Sequence, residues 1–201
     1  MSHGYSQFGE HLDIEEVVGT MPHGYACDVG AWNGVELSNT LQLEEAGWDV
    51  LCVEANPIIA GPLTLARKLV KMVACGKGNS DSQPFTVYEV GQPGNYSAIS
   101  ALHPDENRPV HRDIDPKFVF SVPVRTLDWL LDHVKFPRLD VLTIDVEGGE
   151  SDVLDGFDIA RWQPKVIVLE DWYGGTHVDR MKSAGYIRMA KREINEVFIR
   201  A

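Results

Sequence analysis

The chain has 201 residues, 44% of them hydrophobic, and a formal net charge of -12 from 30 acidic and 18 basic residues. That length suits one domain, residues 1–201, with a sizeable core. The acidic balance argues against a nucleic-acid partner, which asks for clustered Lys and Arg. No apolar run approaches the roughly 20 residues of a membrane helix, and the three cysteines have no CxxC spacing for zinc.

Residues 7–20 carry Phe8, Leu12, Ile14, Val17 and Val18 at helical spacing, closed by Gly19 and Pro22. This makes residues 1–24 an N-terminal helix region. Its first residues lack the charged-then-apolar pattern of a secretion signal, so a cytoplasmic location is expected. Residues 26–34, ACDVGAWNG, read as a buried strand running into a glycine turn. Asp28 stands at the strand's carboxyl end, and Gly30 and Gly34 permit close backbone approach to a ligand. Residues 35–46 then read as a helix stopped by Gly47, its N-terminal amides aimed at the negative end of a ligand.

The second strand, 49–54, is DVLCVE. An acid ending this strand, roughly 20 residues after the glycine turn, is placed to accept from ribose hydroxyls. Trp32 stands where a dinucleotide fingerprint wants its middle glycine, and no GxxxxGK[ST] is present. A nucleoside ligand without a required pyrophosphate points to S-adenosylmethionine (SAM). A nicotinamide-dependent oxidoreductase is the alternative, and a SAM-binding module without turnover is a third reading.

A helix over 57–69 and a strand over 71–75 follow. Residues 76–84 are turn-rich and 85–90 alternate like a strand. Residues 91–117, with Pro93, Pro104, Pro109, Pro116, His103 and His111, read as a lid or acceptor loop. After a short extended piece at 122–124, Thr126 caps a helix through His133. Residues 139–146, LDVLTIDV, have the near-continuous apolar run of a parallel strand buried on both faces, and end in Asp145 and Glu147. A helix over 150–157, a strand over 165–170 ending in Glu170 and Asp171, and a helix over 178–184 come next. Residues 186–190 and 196–200 are too close for a helical crossover, so they pair antiparallel. The fold class is α/β: a doubly wound, Rossmann-like, mostly parallel sheet closed by a C-terminal antiparallel hairpin.

DVGAWNG, SNT at 38–40, AGWDVLCVEANP and IDVEGGE, flanked by YSQFGE at 5–10 and GYIRMAKREINEVFIR at the end, together resemble the FkbM-type branch of the class I SAM-dependent methyltransferases. The resemblance implies that fold and a hydroxyl acceptor on a sugar, glycan, nucleotide sugar or secondary metabolite. It also implies that YSQFGE lies near the cofactor and that Ser97 or Ser100 touches it. The cofactor set is then Asp28, Gly30, Asn33, Gly34, Glu54, Asn56, Cys75, Gly76, Ser97 and Asp145, with Glu54 on the ribose. Asp145 or Glu147 is the candidate base for the acceptor proton, with His177 as a third choice. Asp145, Glu170 and Asp171 also form an all-oxygen set suited to Mg²⁺ or Ca²⁺, similar to the metal site of the catechol O-methyltransferase type, although the resembled family is not generally marked by a metal. Trp172 and Tyr173 could stack on an acceptor ring. The partner expected is a small-molecule or glycan acceptor, with no nucleic acid and no membrane; a homo-oligomer is left open, since nothing in the sequence decides it.

Overall fold

The computed structural model describes residues 5–89, 100–102 and 114–201. Most of the anticipated 91–117 loop, including Ser97, His103 and His111, lies outside the described residues. In chain order the main sheet is built from β1 (Tyr25–Val29), β2 (Asp49–Glu54), β3 (Leu69–Met72), β7 (Val141–Ile144), β8 (Val166–Glu170), β9 (Tyr186–Arg192) and β10 (Asn195–Arg200). A second sheet holds β4 (Ala74–Cys75), β5 (Ser80–Tyr88) and β6 (Pro116–Arg125). The helices are α1 (Glu10–Val18), α2 (Leu41–Glu45), α3 (Ala60–Ala66), α4 (Leu127–His133), α5 (Glu150–Asp155), α6 (Ile159–Trp162) and α7 (Val178–Ser183).

The main sheet runs β3-β2-β1-β7-β8-β10-β9. β1 pairs in parallel with β2 and β7, and β8 pairs in parallel with β7. Only β10 is reversed: it lies antiparallel between β8 and β9. This is the class I methyltransferase arrangement. The order reverses at β1, so the crevice beyond the carboxyl ends of β1 and β7 is the switch point where ligands bind in open α/β sheets.

Side-chain alternation along each strand divides the core into two layers. Cys27, Val29, Leu51, Val53, Leu142 and Ile144 face α4 and α5 through Leu127, Leu130, Leu131 and Val153. Ala26, Val50, Cys52, Val141 and Val168 face α1, α2 and α3 through Ile14, Val18, Leu43 and Leu63. Each fully buried Ile or Leu contributes about 1.5–3 kcal/mol relative to exposure. The three cysteines are buried free thiols.

Several local expectations are corrected. The helix expected over 35–46 is only Leu41–Glu45. Asn33 Oδ1 accepts from the Val35 and Glu36 amides and Ser38 Oγ from the Thr40 and Leu41 amides, so these side chains hold turns in place of a helical ladder. The Leu41 and Leu43 amides at the start of α2 are therefore engaged within the chain. The strand expected over 71–75 divides at Val73 into β3 and β4, which enter different sheets. The turn-rich reading of 76–84 holds for 76–79 only, because 80–84 are the polar, largely exposed half of β5, paired with β6. Pro116 and Lys117 begin β6. Thr126 caps α4, its hydroxyl accepting from the Trp129 amide at 3.2 Å.

The N-terminal helix is fastened to the far end of the chain. Arg192 donates twice to Asp13, at 2.8 and 2.7 Å, and Asn195 Nδ2 donates to Glu10 Oε1 at 2.6 Å. Glu10 and Asp13 are buried.

Candidate active site

A cavity of about 310 Å³ opens at the carboxyl edge of the sheet. That lies at the lower end of the range for small-molecule sites. One half is built from the ends of β1 and β2. Glu54, the last residue of β2, is buried there. Its Oε2 accepts from the Trp32 amide at 2.9 Å and its Oε1 from the Asn56 amide at 2.7 Å. A carboxylate offers about four acceptor positions, so acceptor capacity is left for a ligand hydroxyl. Burial pushes the Glu54 carboxyl up to about 7, against the opposing effect of the backbone hydrogen bonds.

Asn56 is 1% exposed and lines the cavity. Its Oδ1 accepts from the Ile58 amide, which fixes the amide's orientation, and its Nδ2 has no partner. A buried donor left unpaired is costly, so this group calls for an acceptor atom on a ligand.

Asp28 organises the floor. It accepts from Thr143 Oγ1 at 2.8 Å and from Thr40 Oγ1 at 2.6 Å. Beneath it lies Arg67, 3% exposed, which donates to Glu44 Oε2, Gly34 O, Ser38 Oγ and Thr40 Oγ1. Sequence reading missed Arg67 and Glu44. A single Arg near a helix end carries no local sign that it is buried, and its partners lie 23 to 33 residues away.

The glycine turn closes on the protein itself. The Gly30 and Ala31 amides donate to Val53 O, the Trp32 amide to Glu54, and the Gly34 amide to Ala31 O. These donors are not available to a diphosphate, which weakens the nicotinamide alternative. At Gly30 φ is +88°, and a Cβ would stand 1.7 Å from the Asp145 carbonyl oxygen, so glycine is required. Gly34 serves packing: a Cβ there would strike Arg67 and Leu63.

The other half of the cavity is built from the ends of β7 and β8, with Asp145, Glu147, Glu170 and Trp172. Glu150, also missed as a site residue, shapes it: its Oε1 accepts from the Val146 and Gly148 amides. Glu147 holds a φ of 61°, as do Trp32 at 46° and Leu37 at 58°, so three left-handed non-glycine residues border one cavity. Gln7 and Asn195 complete the rim, so one residue of YSQFGE reaches the cavity.

Asp28, Gly30, Glu54, Asn56, Cys75, Ser100, Asp145, Glu147 and Glu170 are thus brought together. Asn33, Gly34 and Gly76 are not among the described lining residues. Asn33 is turned onto its own loop, and the Gly76 amide donates to Arg125 O in the second sheet. Cys75 lines the cavity, but burial pushes its thiol up to about 12, so it stays protonated and inert.

Asp171 is corrected out of the cation set. Its Oδ1 accepts from the Gly174 amide and its Oδ2 from the Thr176 amide, which folds the following turn around it. The carboxylate oxygens that gather within 4.8 Å belong to Asp145, Glu150 and Glu170. His177 is corrected as a base. It is buried at the start of α7 and is not among the described lining residues.

A sequence model of the methyltransferase FkbM domain matches residues 28–188. The chain belongs to the FkbM methyltransferase family. This FkbM member is also 30% identical over 95 residues to Methyltransferase 1 of Beauveria bassiana (strain ARSEF 2860), a match covering 44% of this chain and 38% of that protein's length. Among solved structures it is similar to precorrin-6y C5,15-methyltransferase from Geobacter metallireducens GS-15, with 13% identity and a TM-score of 0.48 over 99% of this chain and 90% of that one. A TehB-like SAM-dependent methyltransferase from Corynebacterium glutamicum ATCC 13032 Kitasato gives 12% identity and a TM-score of 0.46, over 96% and 88%. The family implies SAM, and the β1–β2 half of the cavity fits it: Glu54 offers ribose acceptors and Asn56 an unpaired donor. No helix among the described residues is long and apolar enough to cross a membrane.

Proposed function

We propose that this FkbM-family chain catalyses methyl transfer from SAM to a hydroxyl oxygen of a small-molecule or glycan acceptor. The observation that carries the reading is Glu54: a buried carboxylate at the β2 end, oriented by two backbone amides and keeping acceptor capacity toward the cavity. Glu54 and Asn56 would hold the nucleoside, with the Gly30 turn packed closely behind. SAM supplies, when bound, a methyl group on a sulfonium.

The protein's own contribution is alignment and a base. Asp145 is the better placed of the two candidates. Its amide donates to Val29 O at 2.9 Å and its carbonyl packs against Gly30, so it sits on the rigid strand end. Glu147 lies two residues on, in a glycine-containing turn. Asp145 therefore takes the acceptor proton, and Glu147 holds the acceptor. The test is calorimetric titration with SAM and S-adenosylhomocysteine on the parent and on Glu54→Ala. Micromolar binding by the parent that weakens in the variant supports the reading, whereas unchanged binding in the variant overturns it.

A further inference from the structure

Residues 33–40, between β1 and α2, settle their Asn, Glu, Ser and Thr side chains within the protein with one exception. Asn33 Oδ1 accepts from the Val35 and Glu36 amides, while its Nδ2 donates to Glu36 Oε2. Ser38 Oγ accepts from the Thr40 and Leu41 amides and from Arg67. Thr40 Oγ1 donates to Asp28 and accepts from Arg67. Asn39 stands between these two anchored residues and lines the cavity. Its Oδ1 is buried and has no hydrogen-bond partner among the described residues. A buried acceptor left unpaired is costly, so this oxygen calls for a donor on a ligand. Of the triplet SNT, the outer two residues brace the loop and the middle one is left over.

The order of the sheet says which part of SAM meets that oxygen. β1 lies between β2 and β7. In the methyltransferase reading the nucleoside is held beyond β2 by Glu54 and Asn56, and the methyl group is directed at Asp145 beyond β7. The sulfur that joins them then stands over the end of β1. Its third substituent is the amino-acid arm, and residues 38–40, tied through Thr40 to Asp28 on β1, are the stretch beside it. That arm ends in a carboxylate, which only accepts, and an ammonium, which only donates. An amide oxygen can meet only the ammonium. Charge alone would choose Asp28 for this task. Its oxygens, however, already take Thr143 Oγ1 and Thr40 Oγ1, and Arg67 Nη1 stands 4.0 Å from it, so its charge is met within the protein. Asp145, Glu147 and Glu170 also have interactions within the protein.

We propose that Asn39 is a specificity-determining residue of the cofactor site, whose Oδ1 accepts from the α-ammonium of SAM and so selects cofactors that carry the amino group. The proposal rests on the methyltransferase reading and adds to it the residue that reads the amino-acid end. The bond is charge-assisted, since the donor is ionised, and is therefore stronger than one between neutral groups.

The test is calorimetric titration with three ligands that share the nucleoside and the sulfur. They are S-adenosylhomocysteine, its decarboxylated form, which keeps only the ammonium, and its deaminated form, which keeps only the carboxylate. The expected result is that Asn39→Ala weakens the two ammonium-bearing ligands about tenfold to a hundredfold and the deaminated one by no more than about twofold. Asn39 Oδ1 makes no hydrogen bond in the protein, so its removal strands no other group. Asn39→Asp keeps an oxygen acceptor and adds a charge, so it should prefer the ammonium-bearing ligands at least as strongly as the parent does. Glu54→Ala is the control for the cofactor reading and should weaken all three ligands alike. Equal weakening of all three by Asn39→Ala, which is the mark of a structural role, overturns the proposal and leaves the cofactor reading intact. So does a loss confined to the two carboxylate-bearing ligands, no loss at all, or a reduced ammonium preference in Asn39→Asp. Should Asn39→Ala fail to fold, the Asn39→Asp comparison decides alone. If the parent binds none of the three, the cofactor reading falls and the proposal falls with it.

Discussion

The two halves of the cavity are built in opposite ways. At the β1–β2 end the chain satisfies its own charged groups and leaves the Asn56 Nδ2 donor for a ligand. Glu54 is held by two amides, Asp28 by two threonines, and Arg67 lies buried among Glu44, Ser38, Thr40 and the Gly34 carbonyl. At the β7–β8 end acids converge around an exposed tryptophan, on a turn shaped by Glu150 and a loop folded around Asp171. The first end is preorganised for one ligand. The second is acid-rich and partly open, and the proposed function places the acceptor there. Binding of the nucleoside and choice of acceptor are therefore separable by mutation.

The largest expected effect lies at the junction of the two halves. Asp145→Asn should lower turnover about 10²–10⁴-fold, the range for a lost general base, while S-adenosylhomocysteine affinity changes little. Single-turnover kinetics beside calorimetry would read both quantities, and an equal loss in each would dissolve the distinction between the halves. Next comes Arg67→Met, which strands the buried Asp28 and Glu44 carboxylates. Denaturant unfolding should show a loss of about 3–5 kcal/mol.

Glu54→Ala should weaken S-adenosylhomocysteine binding about tenfold to a hundredfold, the loss expected for hydrogen bonds to a charged group.

A pH series sharpens the same point. The folded chain holds the Glu54 proton up to about pH 7, against an ordinary carboxyl value of 4.5. The ligand-free protein is therefore relatively favoured below the ordinary value, and it loses that contribution, about 3 kcal/mol, as pH rises from the ordinary value through the folded one. Ribose hydroxyls donate to the ionised form, so cofactor affinity should rise over the same interval. Thermal unfolding and calorimetry at pH 5 to 8, on the parent and Glu54→Gln, would show whether both trends flatten in the variant. As the smallest effect, Leu65→Ser, at a side chain 91% exposed and remote from either half, should stay within about 0.5 kcal/mol of the parent.

The catalytic edge was legible in the amino-acid sequence because strands buried on both faces announce themselves. VLTI and VIVLE are buried at every residue, so the acids that follow them had to fall at the sheet's carboxyl edge. The closing hairpin was legible from the few residues between its strands. Asp28, Glu54 and Asp145 were found this way. What the local pattern did not contain was the choice of partner. Residues 35–40 look helical by spacing, yet Asn33 and Ser38 close turns there, and Arg67, far along the chain, braces the loop through Gly34 and Ser38. Asp171 and His177 have the right chemistry for a site and sit within a few residues of it. Backbone amides claim Asp171, and His177 is buried at the start of α7. Sequence periodicity determines which residues are buried and where each strand ends, because both follow from local geometry. Which polar group meets which is decided only when distant segments pack, since a hydrogen bond needs its partner within about 3 Å.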